Sequence, residues 1–188
     1  RVLASIPRAK VRVTFVDPGG LGSTFSAFGG LPQEMVGQRV LVKQADVVAH
    51  LDDLADHAES VNREVLRGQF ESYDAAWEGA GGAIAAPYRV LAIAGLSEDV
   101  FHSGAFERLA AVWREGPRLG IYTVLLVSAA EGTRLWSRLG SSAADGMLIF
   151  RCTAAGTTMS REYGAGGSLG LELSAEPELV HLVVSRLV

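Results

Sequence analysis

The chain has 188 residues, of which 48% are hydrophobic and 20% charged, and this balance excludes a disordered, collagen-like or coiled-coil protein. Seventeen Lys and Arg against 21 Asp and Glu give a net charge of −4, which excludes an overall basic surface for nucleic acid. Cys152 is the one cysteine, so an internal disulfide and a cysteine-based zinc site are also excluded. The length predicts a single domain over residues 1–188.

The amino-terminal half predicts a strand followed by helices. The apolar spacing of Arg1–Ile6 is that of a helix's last turns, ended by Pro7, and we expect this helix to begin upstream of Arg1. The β-branched residues of Val11–Val16 predict a strand that stops at the turn Asp17–Gly20. The remaining elements predicted here are a short helix at Ser23–Phe28, a strand at Arg39–Val42, a long helix from its N-cap Asp46 to Arg67, and a helix at Glu71–Glu78.

The carboxyl-terminal half alternates between strands and helices. Tyr88–Ala94 and Ile121–Val127 are almost continuously apolar, as strands covered on both faces are, and we expect them with Val11–Val16 in the middle of one parallel sheet. The other predicted elements are a helix at Ala105–Trp113 with Phe106, Leu109, Ala110 and Trp113 on one side, a helix at Arg134–Leu139, strands at Met147–Phe150 and Leu169–Leu173, and a final helix at Glu176–Leu187. The pattern predicts an α/β domain of three layers.

Glycines follow the first strand, as they do in phosphate-binding loops. However, the chain contains no Gly-Lys pair, so it has no Walker A sequence, and the spacing G-x-G-x-x-G is also absent. A tight turn at Gly19 and Gly20 is the favoured interpretation. Asp17 has two: a residue at the edge where open α/β sheets bind ligands, or a cap for the turn that follows it.

Three potential metal ligands fall on one side of the long helix: the imidazoles of His50 and His57 and the carboxylate of Asp53. The two histidines are separated by two helical turns, or about 10.5 Å of rise, which is long for a shared metal ion. We therefore expect a solvated face with an Asp53–His57 pair and no metal site. Cys152 is expected to be a buried thiol, and the tryptophans are expected to anchor packing: Trp77, Trp113 and Trp136.

Four segments together resemble the FtsK/SpoIIIE family of RecA-like motor ATPases, which includes DNA translocases and type VII secretion motors. Val13–Gly22 (VTFVDPGGLG) resembles the second core strand and its loop, and Leu66–Phe70 (LRGQF) a turn after a long helix. Pro87–Gly95 (PYRVLAIAG) resembles the Walker B strand, and Leu119–Ser128 (LGIYTVLLVS) the strand that ends in the family's polar sensor. The resemblance covers about residues 1–151 and implies a three-layer RecA-like P-loop NTPase fold, with Walker A upstream of residue 1.

The family's catalytic residues are not intact in this chain. The acidic pair of Walker B falls on Ala94 and Gly95, which cannot hold a Mg²⁺-bound water, and the sensor glutamine falls on Ser128. Asp17, Gly19 and Gly20 would border the nucleotide. Arg114 and Arg118 match the family's arginines that face a neighbouring subunit, and two arginines at a helix end explain them equally well. An arginine acting in trans on a neighbour's nucleotide is therefore expected at one of two positions, Arg114 or Arg118.

The resemblance implies an ATPase-like module of a DNA-translocating or secretion motor, catalytically degenerate in this chain. ATP and Mg²⁺ would be cofactors of the parent protein, neighbouring ATPase domains its partners in a homo-oligomer or ring, and DNA a partner of the parent. The expected location is cytoplasmic, at the cytoplasmic face of the membrane in the parent. A non-catalytic scaffold that docks a partner, and an unrelated doubly wound binding domain, are the alternatives.

Overall fold

A computed structural model describes residues 7–37, 40–95 and 103–128, together with the strands at 148–153, 156–161 and 169–171. The predicted helices Arg134–Leu139 and Glu176–Leu187, with Trp136, lie outside the described residues, as does Arg1–Ile6. The backbone of the strand that carries Cys152 is described, and its side chain is not.

A three-stranded parallel sheet forms the centre of the fold, in the order β1 (Val11–Val16), β2 (Tyr88–Ala94), β3 (Ile121–Leu126). This pairing confirms the prediction of three parallel strands in one sheet. The prediction succeeded because continuous apolar character is typical of strands with helices on both faces. The predicted strand at 39–42 is reduced to one bridge, in which Leu41 pairs with Val16 on the outer side of β1.

Helices cover both faces of this sheet. On one face lie α1 (Gln33–Val36) and α3 (Tyr73–Gly79), which bury Met35 and Ala76 against the sheet. On the other lie α2 (Gln44–Ser60) and α4 (Ser103–Glu115), which bury Leu51 and Leu109. Alternate residues of β2 enter the two clusters, as the two-residue period of a strand requires. The three-layer α/β architecture predicted from the sequence is confirmed.

Several helix boundaries differ from those predicted. The N-cap of α2 is Lys43, and Asp46 lies in the first turn, where its charge favours the helix dipole. The long helix keeps α geometry to Ser60 and continues to Leu66 as a π-helical segment, before Arg67 takes a left-handed conformation. The helix predicted at Glu71–Glu78 begins at Tyr73 and is capped by Ser72, whose hydroxyl accepts from the N–H of Ala75 at 3.2 Å.

β3 differs from the prediction in its environment. It pairs with β2 alone among the described strands, so it is an edge strand of the parallel sheet. Its side chains Val124 and Leu126 are 48% and 46% exposed. The expectation that β3 lies in the middle of the sheet is therefore wrong for the part of the chain that the structure describes.

The carboxyl-terminal strands form a second sheet that is antiparallel. It contains β4 (Leu148–Thr153), β5 (Gly156–Arg161) and β6 (Leu169–Leu171) in that order. The polar sequence of β5 gave no strand signal. None of the described helices combines the length and apolar character needed to cross a membrane.

Candidate functional site

The carboxyl edge of the parallel sheet brings the first predicted site residues together. Val16 pairs with Ile93 across β1 and β2, so Asp17 and Ala94 follow the two partners at the same level. Ala94 is buried in the cluster on the α1–α3 face of the sheet. Open α/β sheets bind their ligands at the carboxyl ends of the parallel strands. Asp17 and Ala94 both lie at this edge.

Gly95 follows β2 at this edge and lies close to both β3 and the loop after β1. Its N–H donates to the carbonyl of Leu126 at 3.3 Å, and its φ of +67° is one that side-chain-bearing residues rarely adopt. A Cβ on Gly95 would lie 3.8 Å from both Cα and N of Gly19. Ser128 follows β3 by two residues at the same end of the sheet and is exposed.

Asp17 is a buried anion that holds its own loop. Its side chain is in a residue only 1% exposed, and its two carboxylate oxygens accept from three backbone N–H groups. These are Gly20 at 2.8 Å, Gly22 at 3.1 Å and Thr24 at 3.0 Å. Of the two interpretations of Asp17 left open by the sequence, the loop cap describes the contacts of its carboxylate.

The hydrogen bonds of Asp17 decide its charge. Burial alone raises the pKa of a carboxyl, but the donors from Thr24, Gly20 and Gly22, together with the Thr24 hydroxyl, hold the pKa of Asp17 below its usual range. The carboxylate is thus ionised at neutral pH. Because the N–H groups of the loop converge on this internal anion, they are not directed at an external phosphate.

The donor set at this edge does not fit a Mg²⁺ ion. Magnesium is held by carboxylates and other hard oxygen ligands, and its geometry is strict. Ala94 and Gly95 offer no side-chain oxygen, and the carboxylate of Asp17 is committed to its loop. Within the described residues no group of three His, Cys, Asp or Glu side chains could hold a metal ion.

Arg114 and Arg118 lie near the opposite end of the sheet, where α4 leads into β3. Arg114 is in the last turn of α4 and donates from Nε to the carbonyl of Ala110 at 3.4 Å. Arg118 donates from Nη2 to Oδ1 of Asn62 at 3.2 Å. Both are exposed, and these contacts position them on their own chain at a helix end, where a cation favours the dipole.

A carboxylate with two tyrosine donors, which sequence reasoning missed, lies at the amino ends of β2 and β3. Asp74 accepts from the hydroxyl of Tyr88 at 2.7 Å and from that of Tyr122 at 3.0 Å. Tyr73 donates to the carbonyl of Ala86. Burial, then Asp74, raises the pKa of Tyr73 and of Tyr122 to about 12, and the pKa of Tyr88 is also raised. Local sequence patterns carry no signal for partners 14 and 48 positions apart.

The histidine face of α2 also differs from the expectation. Asp53 pairs with Arg89 of β2 at 2.9 Å and with His50 at 4.0 Å, in place of the expected His57. Burial lowers the pKa of both histidines, and the positive charge of Arg89 adds to this effect. Nε2 of His57 and Nε of Arg89 are buried without a hydrogen-bond partner. This face is therefore only partly solvated.

The fold, though not the sequence, is similar to that of a known ATPase. The chain resembles EssC (ATPases 2 and 3) from Geobacillus thermodenitrificans, with 12% identical residues and a TM-score of 0.63. The similarity covers 99% of this chain and 38% of that chain, so the chain spans well under half of its structural neighbour. No protein-family model and no curated protein sequence matches it. At this identity the likeness shows the fold alone: an α/β domain similar to part of the EssC structure.

Proposed function

We propose that this chain is an ATPase-like module of an FtsK/SpoIIIE-type DNA-translocating or secretion motor, and that it has lost catalysis. The observation that carries the proposal is the carboxyl end of β2, where Ala94 ends the strand and Gly95 stands beside Gly19. Motor ATPases need acids at this place to hold the Mg²⁺ of the nucleotide and to orient the attacking water. A methyl group and a hydrogen supply neither function.

ATP and Mg²⁺ are, in this proposal, cofactors of the parent protein. The structural neighbour contains two ATPases in one chain, as its description states, which supports an arrangement of several ATPase domains. A module without catalytic acids contributes to such an arrangement by packing against active neighbours. Arg114 and Arg118, both exposed, are available to act in trans on a neighbour's nucleotide.

A non-catalytic docking scaffold is the second candidate function. It is favoured by Asp17, because a carboxylate that fills its own loop makes the nucleotide edge a rigid surface and removes N–H donors from a phosphate. A motor module that still binds nucleotide and a scaffold that does not are therefore separated by ATP affinity.

DNA binding, which the proposal assigns to the parent, has little support from the charges of this chain. Two basic residues lie close together at the start of the described chain, and both contact backbone carbonyls: Lys10 donates to that of Ile84, and Arg12 donates to that of Val11 at 3.4 Å. The net charge of −4 opposes a phosphate backbone. We expect weak, strongly salt-dependent binding to duplex DNA, and submicromolar affinity at physiological salt in fluorescence anisotropy would contradict this.

The experiment that tests the proposal measures ATP turnover and Mg²⁺·ATP binding by the purified chain. We expect no turnover above a control without protein. Turnover that persists through purification and is lost in Gly20→Ala, a change at the nucleotide edge, would overturn the loss of catalysis. Turnover that survives unchanged in that variant identifies a contaminating enzyme. Calorimetry with Mg²⁺·ATP on a protein extended upstream to supply Walker A then separates the two candidates, because binding supports the motor module and its absence supports the scaffold.

A further inference from the structure

The most exposed large apolar residue of the described chain is also one of its two non-glycine residues with positive φ. Leu21 is 80% exposed and has a φ of +50°. A leucine in this left-handed conformation costs stability that glycine would not, and so exposed a side chain recovers almost nothing by burial. Strain retained at a position that does not serve the core indicates a function outside it.

The loop around Leu21 is built to present this side chain. The carboxylate of Asp17 binds the N–H groups on either side of it, those of Gly20 and Gly22. Residues 18–33 contain no charged side chain, so the loop that carries Leu21 can be covered without removing an ion of its own from water. The leucine is thus a fixed apolar knob on an uncharged loop.

A pocket of about 220 Å³ between α2 and α4 is lined mainly by apolar residues, as a site for a leucine side chain must be. Its floor includes the buried side chains of Leu51, Leu119 and Ile121. Two exposed alanines, Ala55 and Ala111, are among its lining residues. A dry apolar cavity of about 150 Å³ accepts a benzene molecule, so this pocket has room for a leucine side chain.

The knob and the pocket cannot meet within one molecule. Leu21 lies beyond the carboxyl end of β1, whereas Ile121 of the pocket begins β3 at the amino end of the sheet. Six-residue strands separate these two ends by about 20 Å. A second copy can satisfy both, because the knob and the pocket lie on different surfaces and no residue that the structure describes fills either of them.

We propose that Leu21 of one copy packs into the α2–α4 pocket of the next copy, head to tail. Such a contact is heterologous, so each copy offers one knob and one pocket, and the contacts close into a ring or continue as a filament. The proposal does not depend on nucleotide binding. In this proposal the buried Asp17 contributes to assembly, since its carboxylate fixes the loop that carries Leu21.

The test uses sedimentation of the chain over a range of concentrations with two complementary variants. Leu21→Gly removes the knob and suits the positive φ, so its thermal stability should equal or exceed that of the parent. Ala111→Gln fills the pocket at an exposed helical position. We expect the parent to associate with concentration, and each variant to associate at least about tenfold more weakly, the loss expected for one buried leucine.

Mixing the two variants gives the decisive result. Leu21→Gly keeps its pocket and Ala111→Gln keeps its knob, so the mixture should form a one-to-one dimer that neither variant forms alone and that does not grow. A parent chain that remains monomeric up to about 1 mM, or a mixture without the dimer, overturns the proposal. Leu126→Gln, which removes an exposed apolar side chain of β3, is the matched control. Association abolished by that change alone would place the interface on β3 and would also overturn the proposal.

Discussion

A Cβ atom on Gly20 would lie 2.6 Å from Oδ2 of Asp17 and 2.7 Å from Oδ1. Carbon and oxygen do not approach so closely, so the buried carboxylate and the backbone at position 20 fit together only because residue 20 has no side chain. The same contact explains why one of the glycines after this strand, Gly20, has to be a glycine. Its glycine serves an internal anion, although the same composition is used elsewhere to approach a phosphate.

Gly20→Ala should therefore destabilise the domain. The new methyl group displaces the carboxylate from three N–H donors, at a cost of about 2 kcal/mol or more in the free energy of unfolding. Gly19→Ala is the matched control, because a Cβ at position 19 meets nothing within 4 Å. We expect that control to change stability by less than about 1 kcal/mol in chemical denaturation. Equal effects of the two substitutions would contradict the assigned contact.

The charge of Asp17 predicts a pH dependence of stability. Its folded pKa lies below the value of about 3.9 expected in the unfolded chain, so between the two values the unfolded state binds more protons. The stabilisation is complete above the unfolded pKa and is lost as pH falls through the folded pKa. Asp17→Asn should lower the free energy of unfolding by about 1–3 kcal/mol at neutral pH.

Urea unfolding of both proteins from pH 7 down into the acid range checks this prediction. The gap between parent and Asp17→Asn should narrow as the carboxylate of the parent becomes protonated. A gap that keeps its size in acid would mean that the charge of Asp17 is not what stabilises the loop.

Asp17 and Asp74 show what the sequence could and could not predict. The three parallel strands follow from their continuous apolar residues, and the position of Asp17 at a strand end follows from the turn signal after it. The three donors to its carboxylate depend on the backbone path of the next seven residues, which composition does not fix. Asp74 looks like an ordinary acid in a helix's first turn, because its two tyrosine donors are brought to it by the sheet.

The tyrosine pair on Asp74 predicts an alkaline limit of stability. The pKa of Tyr122 is raised to about 12, above the value of about 10 for an exposed tyrosine, so its contribution is complete below the unfolded pKa and is lost as pH rises through the folded one. Tyr122→Phe keeps the ring beside Tyr88 and removes one donor to Asp74. We expect it to cost about 1 kcal/mol near neutral pH.

Tyrosinate absorbance measured against pH provides the direct check. The parent should show tyrosines that ionise only well above the ordinary range, and one fewer should do so in Tyr122→Phe. A parent in which all four tyrosines of the sequence ionise together near pH 10 would contradict the hydrogen-bonded network.

Two acids placed at the end of β2 would test whether Ala94 and Gly95 occupy the Walker B positions. Ala94→Asp with Gly95→Glu places two carboxylates at the edge beside Gly19, in a protein extended to carry a Walker A sequence before residue 1. Both changes carry a structural cost without ligand, because Ala94 is only 4% exposed and the φ of Gly95 is +67°. The double variant should therefore unfold at a lower temperature than its parent.

Mg²⁺·ATP should then recover part of this loss, since a cation at the sheet edge relieves the buried carboxylate and a ligand stabilises the state it binds. The decisive measurement is the shift in unfolding temperature on adding ATP with and without Mg²⁺, in the parent, in the double variant and in Ala92→Asp. That control buries a carboxylate on the same face of β2, two residues before the edge, where no nucleotide can reach it. A Mg²⁺-dependent gain confined to the double variant identifies Ala94 and Gly95 as the lost acid positions. An equal gain in Ala92→Asp, or no gain in a folded double variant, would show that Ala94 and Gly95 are not the positions of a lost Walker B pair.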